Sequence, residues 1–263
     1  MMSQDKEVKA RERAFHDNRF GQHVDPRAKL DGVYSITSAS TIKYRTLLAQ
    51  DFPHAGNILE YGCGTGGDFN FYKKLNPRLY GIDISAEAIQ KAQARANTEG
   101  LSAYFKVGDA ESTSYEKDHF DRIVGLGILH HLNLERSLPE LARIIKSDGS
   151  CIFSEPLGHN PLINFFRFLT PNLRTPDEHP LKNHDFDLMR VYFNQVNIEY
   201  FYFLAFLSLP FRKTGAFKII YRLLTAADGW MFRTFPWFGK YAWICIIELR
   251  APKKSENSQV VDG

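Results

Sequence analysis

The sequence predicts an α/β fold built on a doubly wound, mostly parallel sheet. Two observations carry that prediction. From about residue 57, short apolar runs alternate with stretches of helical periodicity, the rhythm of strand–helix–strand crossovers. The first of those runs, Ile58 to Tyr61, opens directly into the glycine-rich turn GCGTGG, Gly62 to Gly67. A turn of that composition lets the backbone approach a ligand closely, because no Cβ stands in the way. In such sheets ligands bind beyond the carboxyl ends of the strands, so the residues that end the strands matter most.

Taken in order, NILEY is the first strand and FNFYKKL, after the glycines, is helical. RLYGID is the second strand and ends in Asp83. SAEAIQKAQARANTEG reads as a helix with Ser85 as N-cap, Glu87 in its first turn and Gly100 at its stop. SAYFKVGD and FDRIVGLGIL are the third and fourth strands. LERSLPELARIIKSDG is the next helix, interrupted locally by Pro139 and ended by Gly149, and SCIFSE is the fifth strand. After Glu155 the rhythm breaks. A proline-rich stretch precedes the short helical DFDLMRVYF, then strand-like aromatics near 196 to 207, then helical KTGAFKIIYRLLTAADGWMF. KYAWICIIELRAP closes the pattern as a near-continuous apolar strand. Residues 156 to 235 therefore read as a substrate-side insertion.

Bulk properties narrow the function classes. The chain has 263 residues, 44% hydrophobic and 24% charged, the composition of an ordinary globular protein. A formal charge of +3 gives no ground for a nucleic-acid partner. Cys63, Cys151 and Cys245 form no C-x-x-C pair, which argues against a disulfide framework or structural zinc and for a reducing, cytoplasmic setting. The charged start MMSQDKEVKARERAF lacks the apolar core of a secretory signal. The greasiest run, Tyr200 to Phe211, falls short of the roughly 20 residues a spanning helix needs, so no transmembrane segment is expected.

The glycine loop fits two ligands. Gly62, Gly64 and Gly67 match the G-x-G-x-x-G of a dinucleotide site, while Gly62, Gly64 and Gly66 match the G-x-G-x-G of an S-adenosylmethionine site. Charge separates them. A dinucleotide sets an anionic diphosphate on this loop, where Glu60 and Asp68 would oppose it. A cationic donor with an ammonium group wants such a carboxylate, and Glu60 suits it directly or through water. Asp83 can accept from both ribose hydroxyls of either ligand, with Ile84 beside it to pack on adenine. Asp109, at the third strand's end, can accept from the adenine amine while the Ala110 amide faces a ring nitrogen. Three acids at three successive strand ends are hard to reconcile with accident.

These residues resemble the class I S-adenosylmethionine-dependent methyltransferases. The resemblance rests on ILEYGCGTG, YGIDIS, VGDAE, FDRIVGLGILHHL and GSCIFSEP, and covers Tyr44 to Pro156; Glu60 stands where Asp is commoner. It implies a Rossmann-like, seven-stranded sheet with an antiparallel last strand, for which KYAWICIIEL is the candidate. It also implies S-adenosylmethionine contacts at Glu60, Gly62, Gly64 and Gly66, with Cys63 between them in the loop, and at Asp83, Ile84, Asp109 and Ala110. Gly127 resembles the position flanking the methionine part of the cofactor. The expected organisation is an N-terminal helical lid (1–43), a donor-binding core (44–156), a substrate-side insertion with returning strands (157–252) and a disordered tail (253–263). Tyr34 or Tyr44 could reach the methionine carboxylate from the lid.

Methyl transfer from a sulfonium needs collinear alignment more than covalent help from the protein. A hydroxyl acceptor gains from a general base, and histidine titrates in the right range. His131, in GILHHL, His159, in SEPLGHNP, and His179, in PDEHPL, are the candidate catalytic residues, with Glu155 nearby and His131 also suited to a purely structural contact. No third ligand stands at a convincing spacing from the adjacent His130 and His131, so no metal is expected. The aromatic region after 200, interleaved with Arg212, Lys213, Lys218, Arg222 and Arg233, reads as core packing, as a pocket for a small or lipid-like acceptor, or as a patch in peripheral contact with a membrane. Oxygen is the expected methylation target. Two rivals stay open: an NAD-dependent oxidoreductase, and a non-catalytic S-adenosylmethionine-binding interaction protein.

Overall fold

In the computed structural model the chain is described over residues 2–21, 31–171, 175 and 177–254. In chain order the elements are α1 (Met2–Gly21), α2 (Asp31–Tyr34), α3 (Ser38–Ala49), β1 (Asn57–Tyr61), α4 (Phe69–Leu75), β2 (Arg78–Asp83), α5 (Ala86–Thr98), β3 (Ala103–Val107) and β4 (Phe120–Leu126). There follow α6 (Leu134–Ile144), β5 (Ile145–Pro156), α7 (Pro161–Leu169), α8 (Asn183–Tyr192), β6 (Phe193–Phe201), α9 (Phe217–Thr234) and β7 (Ile244–Pro252). Short 3-10 helices span Leu204–Phe211 and Pro236–Tyr241.

The strands form one seven-stranded sheet in the order β3-β2-β1-β4-β5-β7-β6. β7 is antiparallel to both neighbours, and the other pairings are parallel, as expected. The order steps outward from β1 to β3 on one side and from β4 onward on the other. The switch point therefore falls between β1 and β4, where the carboxyl ends leave a crevice.

Local chemistry explains the helices that frame this crevice. Ser85 caps α5 by accepting from the Ala88 N–H, and Ala88, Ala92 and Ala96 form a fully buried stripe one turn apart. Small side chains on that stripe let α5 lie close to the sheet. Asn133 caps α6 by accepting from the Glu135 N–H, and Leu134, Leu138 and Leu141 supply its buried face. α6 carries Pro139 in its interior and ends at Ile144, not at Gly149. Ile144 and Ile145 are both fully buried, and Ile145 already pairs with Phe120 in the sheet. Four residues then bulge out against one on β4 before Ser150 pairs with Arg122.

The stretch after β5 is not a single insertion. α8 packs against α6 and β6 and leads straight into β6, so both belong to the sheet and its layers. Outside the strands lie α7 with its flanking loops and the block of 3-10 helices and α9, which packs on β6 through Phe232 and Tyr200. Of the expected tail, Lys254 is held by Asp118 and by the Ala142 carbonyl, and residues 255–263 lie outside the described residues. The three cysteines are buried and unpaired.

Gly66 illustrates how the loop depends on its composition. Its φ is +91°, and a Cβ there would collide with the Phe69 ring. Gly66→Ala is expected to lower stability by about 1–3 kcal/mol, read as a lower denaturant midpoint at unchanged slope. An unchanged midpoint would mean that the loop tolerates side chains.

Candidate functional site

All ten expected donor contacts, from Glu60 to Gly127, line one cavity of about 1200 Å³ at the carboxyl ends of the strands. His131 and His179 line it too. His159 does not. The Gly158 N–H is bonded to the Leu181 carbonyl and Asn160 caps α7, which ties this loop down. The His159 ring instead sits near Lys182, Lys240 and His184; burial and those charges lower its pKa.

The acidic rim is real, and each acid is held differently. Asp83 accepts from the Gly64 N–H at 2.8 Å and the Ser85 N–H at 2.9 Å, so it braces the loop and the start of α5 together. Glu60 is buried beneath the loop, accepting from the Tyr72 hydroxyl at 2.7 Å and the Gly67 N–H at 3.1 Å. Asp109 pairs with Lys9 of α1 at 2.6 Å, and Lys9 also reaches Glu111 at 2.8 Å. Ala110 accepts from the Tyr61 hydroxyl through its carbonyl. Ile84 stands beside Asp83 on the wall. Gly62 and Gly127 adopt φ of +70° and +66°, and burial pushes the Cys63 thiol pKa up. Tyr44 is buried behind Glu60; Tyr34 is half exposed at the mouth, 5.7 Å from the Trp243 ring.

Burial raises the pKa of Glu60 to about 7, against the hydrogen bonds from Tyr72 and Gly67. Burial likewise raises Glu155 to about 7. A carboxyl raised from 4.5 in the unfolded chain stabilises the fold fully below 4.5, and that stabilisation is lost as pH climbs through about 7. His131, held below 6.5 by burial, works in the opposite sense. With Asp228, also raised by burial, three carboxyls act against the two lowered imidazoles of His131 and His159, so the melting temperature of the unliganded protein should fall between pH 4.5 and about 7. The slope should flatten in Glu60→Gln; an equal slope in that variant would remove Glu60 as its source.

Glu155 borders the cavity, but its carboxylate is taken up by the protein. It is fully buried, accepting from the Ile128 and Leu129 N–H groups at 2.9 Å each and lying 2.8 Å from His130 Nδ1. The pair fixes the turn after β4, so His130 takes the structural part. That turn presents His131 to the cavity. His131 Nδ1 lies 3.2 Å from Glu12 Oε2 of α1, and its Nε2 lies 3.7 Å from Glu178 Oε1. Glu12 also contacts His16 Nε2 at 3.4 Å and accepts from the Thr175 hydroxyl. Burial is the largest influence on His131 and lowers its pKa, so the neutral imidazole dominates at pH 7. Glu12 stays ionised, its burial outweighed by His131, His16 and Thr175.

Sequence reasoning missed Glu12, His16 and Glu178. The spacing Glu12-x-x-x-His16 places both on one face of α1, which is a usable signal. Their partner on the β4 turn is over 100 residues away and shows only in three dimensions. Ligand atoms of Glu12, His16 and His131 lie within 4.8 Å of one another, as do those of His130, His131 and Glu178, a clustering that the adjacent histidines alone did not suggest. The same cavity has apolar lining from Leu162, Ile163, Phe166, Phe206, Leu209 and Trp243.

A methyltransferase domain model matches residues 58–149. An uncharacterized methyltransferase of Schizosaccharomyces pombe is 30% identical over 97 residues, covering 36% of this chain and 67% of that protein. The fatty-acid O-methyltransferase of Mycolicibacterium smegmatis is 27% identical over 115 residues, covering 43% of this chain and 41% of its own length. Among the first curated relatives it matches, the chain spans only 34% to 41% of their length. The solved phosphoethanolamine N-methyltransferase 2 of Haemonchus contortus, in complex with phosphomonomethylethanolamine and S-adenosylhomocysteine, shares the fold. Its TM-score is 0.63 at 14% identity, over 92% of this chain and 60% of that one. The domain and sequence matches favour the methyltransferase reading of the glycine loop over the dinucleotide one. With the strand order, the acidic rim and the family match in agreement, the chain belongs to the class I S-adenosylmethionine-dependent methyltransferases.

Proposed function

We propose that this chain transfers a methyl group from S-adenosylmethionine to an oxygen of a small, apolar or lipid-like acceptor, with His131 as general base. The observation that carries the reading is that His131 lines the same cavity as the acidic rim and an apolar wall. The residues present suit the donor. Gly64 (φ +51°) keeps the loop free of a Cβ at the rim, and Asp83 is pre-oriented by two backbone N–H groups. In this proposal Asp83 accepts from the ribose hydroxyls, and Ile84, Asp109 and Ala110 surround the adenine. Glu60, Gly62, Cys63, Gly66 and Gly127 shape the methionine end. When bound, the donor supplies a methyl group already activated on a sulfonium.

The chain's own residues do the rest. His131 takes the acceptor proton on Nε2 while Glu12 steadies the ring at Nδ1 and favours the imidazolium that forms. α1 excludes water from above, anchored by Lys9 to Asp109 and Glu111 and by Asp17, which accepts from the Ser85 hydroxyl at 2.5 Å. His179 lines the acceptor side, and its backbone N–H donates to the His130 carbonyl at 2.9 Å. The division into a lid (1–43), a donor core (44–156) and a substrate side (157–252) belongs to the same reading.

The test is transfer of labelled methyl from S-adenosylmethionine to a panel of amphiphiles ending in hydroxyl, carboxyl or amine. Product should accumulate with the oxygen acceptors. Product confined to the amines would overturn the oxygen assignment, and S-adenosylhomocysteine binding without turnover on any acceptor would favour a non-catalytic role.

A further inference from the structure

Large hydrophobic side chains are exposed on this molecule in an uneven way. Ten of the seventeen exposed ones among the described residues fall in α7, α9 and the 3-10 helices at 204–211 and 236–241. On α7, Phe165 and Leu169 stand one turn apart and Phe168 is 80% exposed. On α9, Ile219, Leu223 and Trp230 recur at i, i+4 and i+11, which puts all three on one stripe. Trp237, in the second 3-10 helix, is 65% exposed.

These elements form one block. Ile163 of α7, Leu209 of the first 3-10 helix and Phe217 and Tyr221 of α9 share a hydrophobic cluster. The Asn160 side chain, at the start of α7, donates to the Tyr241 carbonyl at the end of the second 3-10 helix. Charge on the block is one-sided. Between residues 204 and 241 the sequence carries Arg212, Lys213, Lys218, Arg222, Arg233 and Lys240, against a single acid, Asp228. Asp228 is buried and taken up by the Phe203, Leu204 and Ala205 N–H groups, so it does not offset the basic face. The first five cations are exposed.

We infer that this face of α7 and α9 seats on an anionic lipid bilayer, its aromatic and aliphatic side chains entering the interface and its cations meeting the headgroups. Exposed apolar side chains ringed by arginine and lysine are what an interfacial helix presents. No described helix is long and apolar enough to cross a membrane, so the contact is peripheral. α7 is also a wall of the cavity: Ile163 and Phe166 line it while Phe165 and Phe168 point away from it. An acceptor resident in the bilayer would thus have one helix to pass. This second point rests on the proposed methyl transfer to a lipid-like acceptor; the docking itself does not.

Flotation of the full chain with phosphatidylcholine vesicles, with and without phosphatidylglycerol, tests the docking without any methyl donor. The chain should float with the anionic vesicles at least about tenfold more than with the neutral ones. Its tryptophan emission should shift to the blue, because Trp230 and Trp237 are two of only three tryptophans. Phe168→Ser with Trp230→Ser should lower binding to anionic vesicles about tenfold. Lys218→Glu with Arg222→Glu should abolish the preference for anionic lipid. Unchanged S-adenosylhomocysteine affinity would show that each variant is folded. Equal recovery with both vesicle types, or a stable dimer whose formation Phe168→Ser disrupts, would overturn the inference. Vesicle binding without lipid methylation would sink only the acceptor assignment.

Discussion

Asp83→Ala should weaken S-adenosylhomocysteine binding by about two orders of magnitude or more, measured by titration calorimetry. Each hydrogen bond to a charged acceptor contributes about 1.5–3 kcal/mol. Loss of two bonds to the ribose hydroxyls gives about 3–6 kcal/mol, roughly a 10²- to 10⁴-fold change in Kd. The same carboxylate accepts from the Gly64 and Ser85 N–H groups, so its removal also loosens the glycine loop. Asp83→Asn keeps one acceptor oxygen and should fall between the two. Ser85 still caps α5 in both variants, so the melting temperature should move little compared with the affinity. Affinity unchanged in Asp83→Ala would remove the rim from donor binding.

His131→Ala should lower kcat by about 10²- to 10⁴-fold, the range of a lost general base, with S-adenosylhomocysteine affinity retained. The retained affinity separates lost chemistry from a disturbed α1. Burial holds the His131 pKa below 6.5, so kcat/KM should stay level as pH falls to about 6.5 and decline only below it. Glu12 favours the protonated ring and works against that burial. Glu12→Gln should therefore shift the acid limb to still lower pH, while reducing kcat because the ring loses its partner at Nδ1. A purely structural role for Glu12 would leave the limb in place. His159→Ala should be without effect on kcat, since its ring lies outside the cavity.

The glycine loop and the acidic strand ends were legible because they are local. β1 and β2 begin and end where their apolar runs do, and each acid of the rim sits at or just past the end of its own strand. Ser85 caps α5 as its residue type predicts. Errors arose where distant contacts override a local signal. Gly149 looks like a helix stop, yet the buried pair Ile144–Ile145 draws the chain into the sheet four residues earlier. His159 has the right neighbours in sequence, but the tie from Gly158 to Leu181 keeps its ring out of the cavity. Glu12 and Glu178 gain meaning only when α1 and the loop before α8 close on His131. Lys9, which pairs with Asp109, was equally invisible in the linear sequence.

The crux is a row of carboxylates at neighbouring strand ends, shaped for a cationic sulfur nucleoside. Titrating the unmodified protein with S-adenosylhomocysteine and, separately, with NADH puts that to the most direct test. A saturable heat with the first and none with the second is the result this structure predicts. Saturable heat with NADH alone would contradict it.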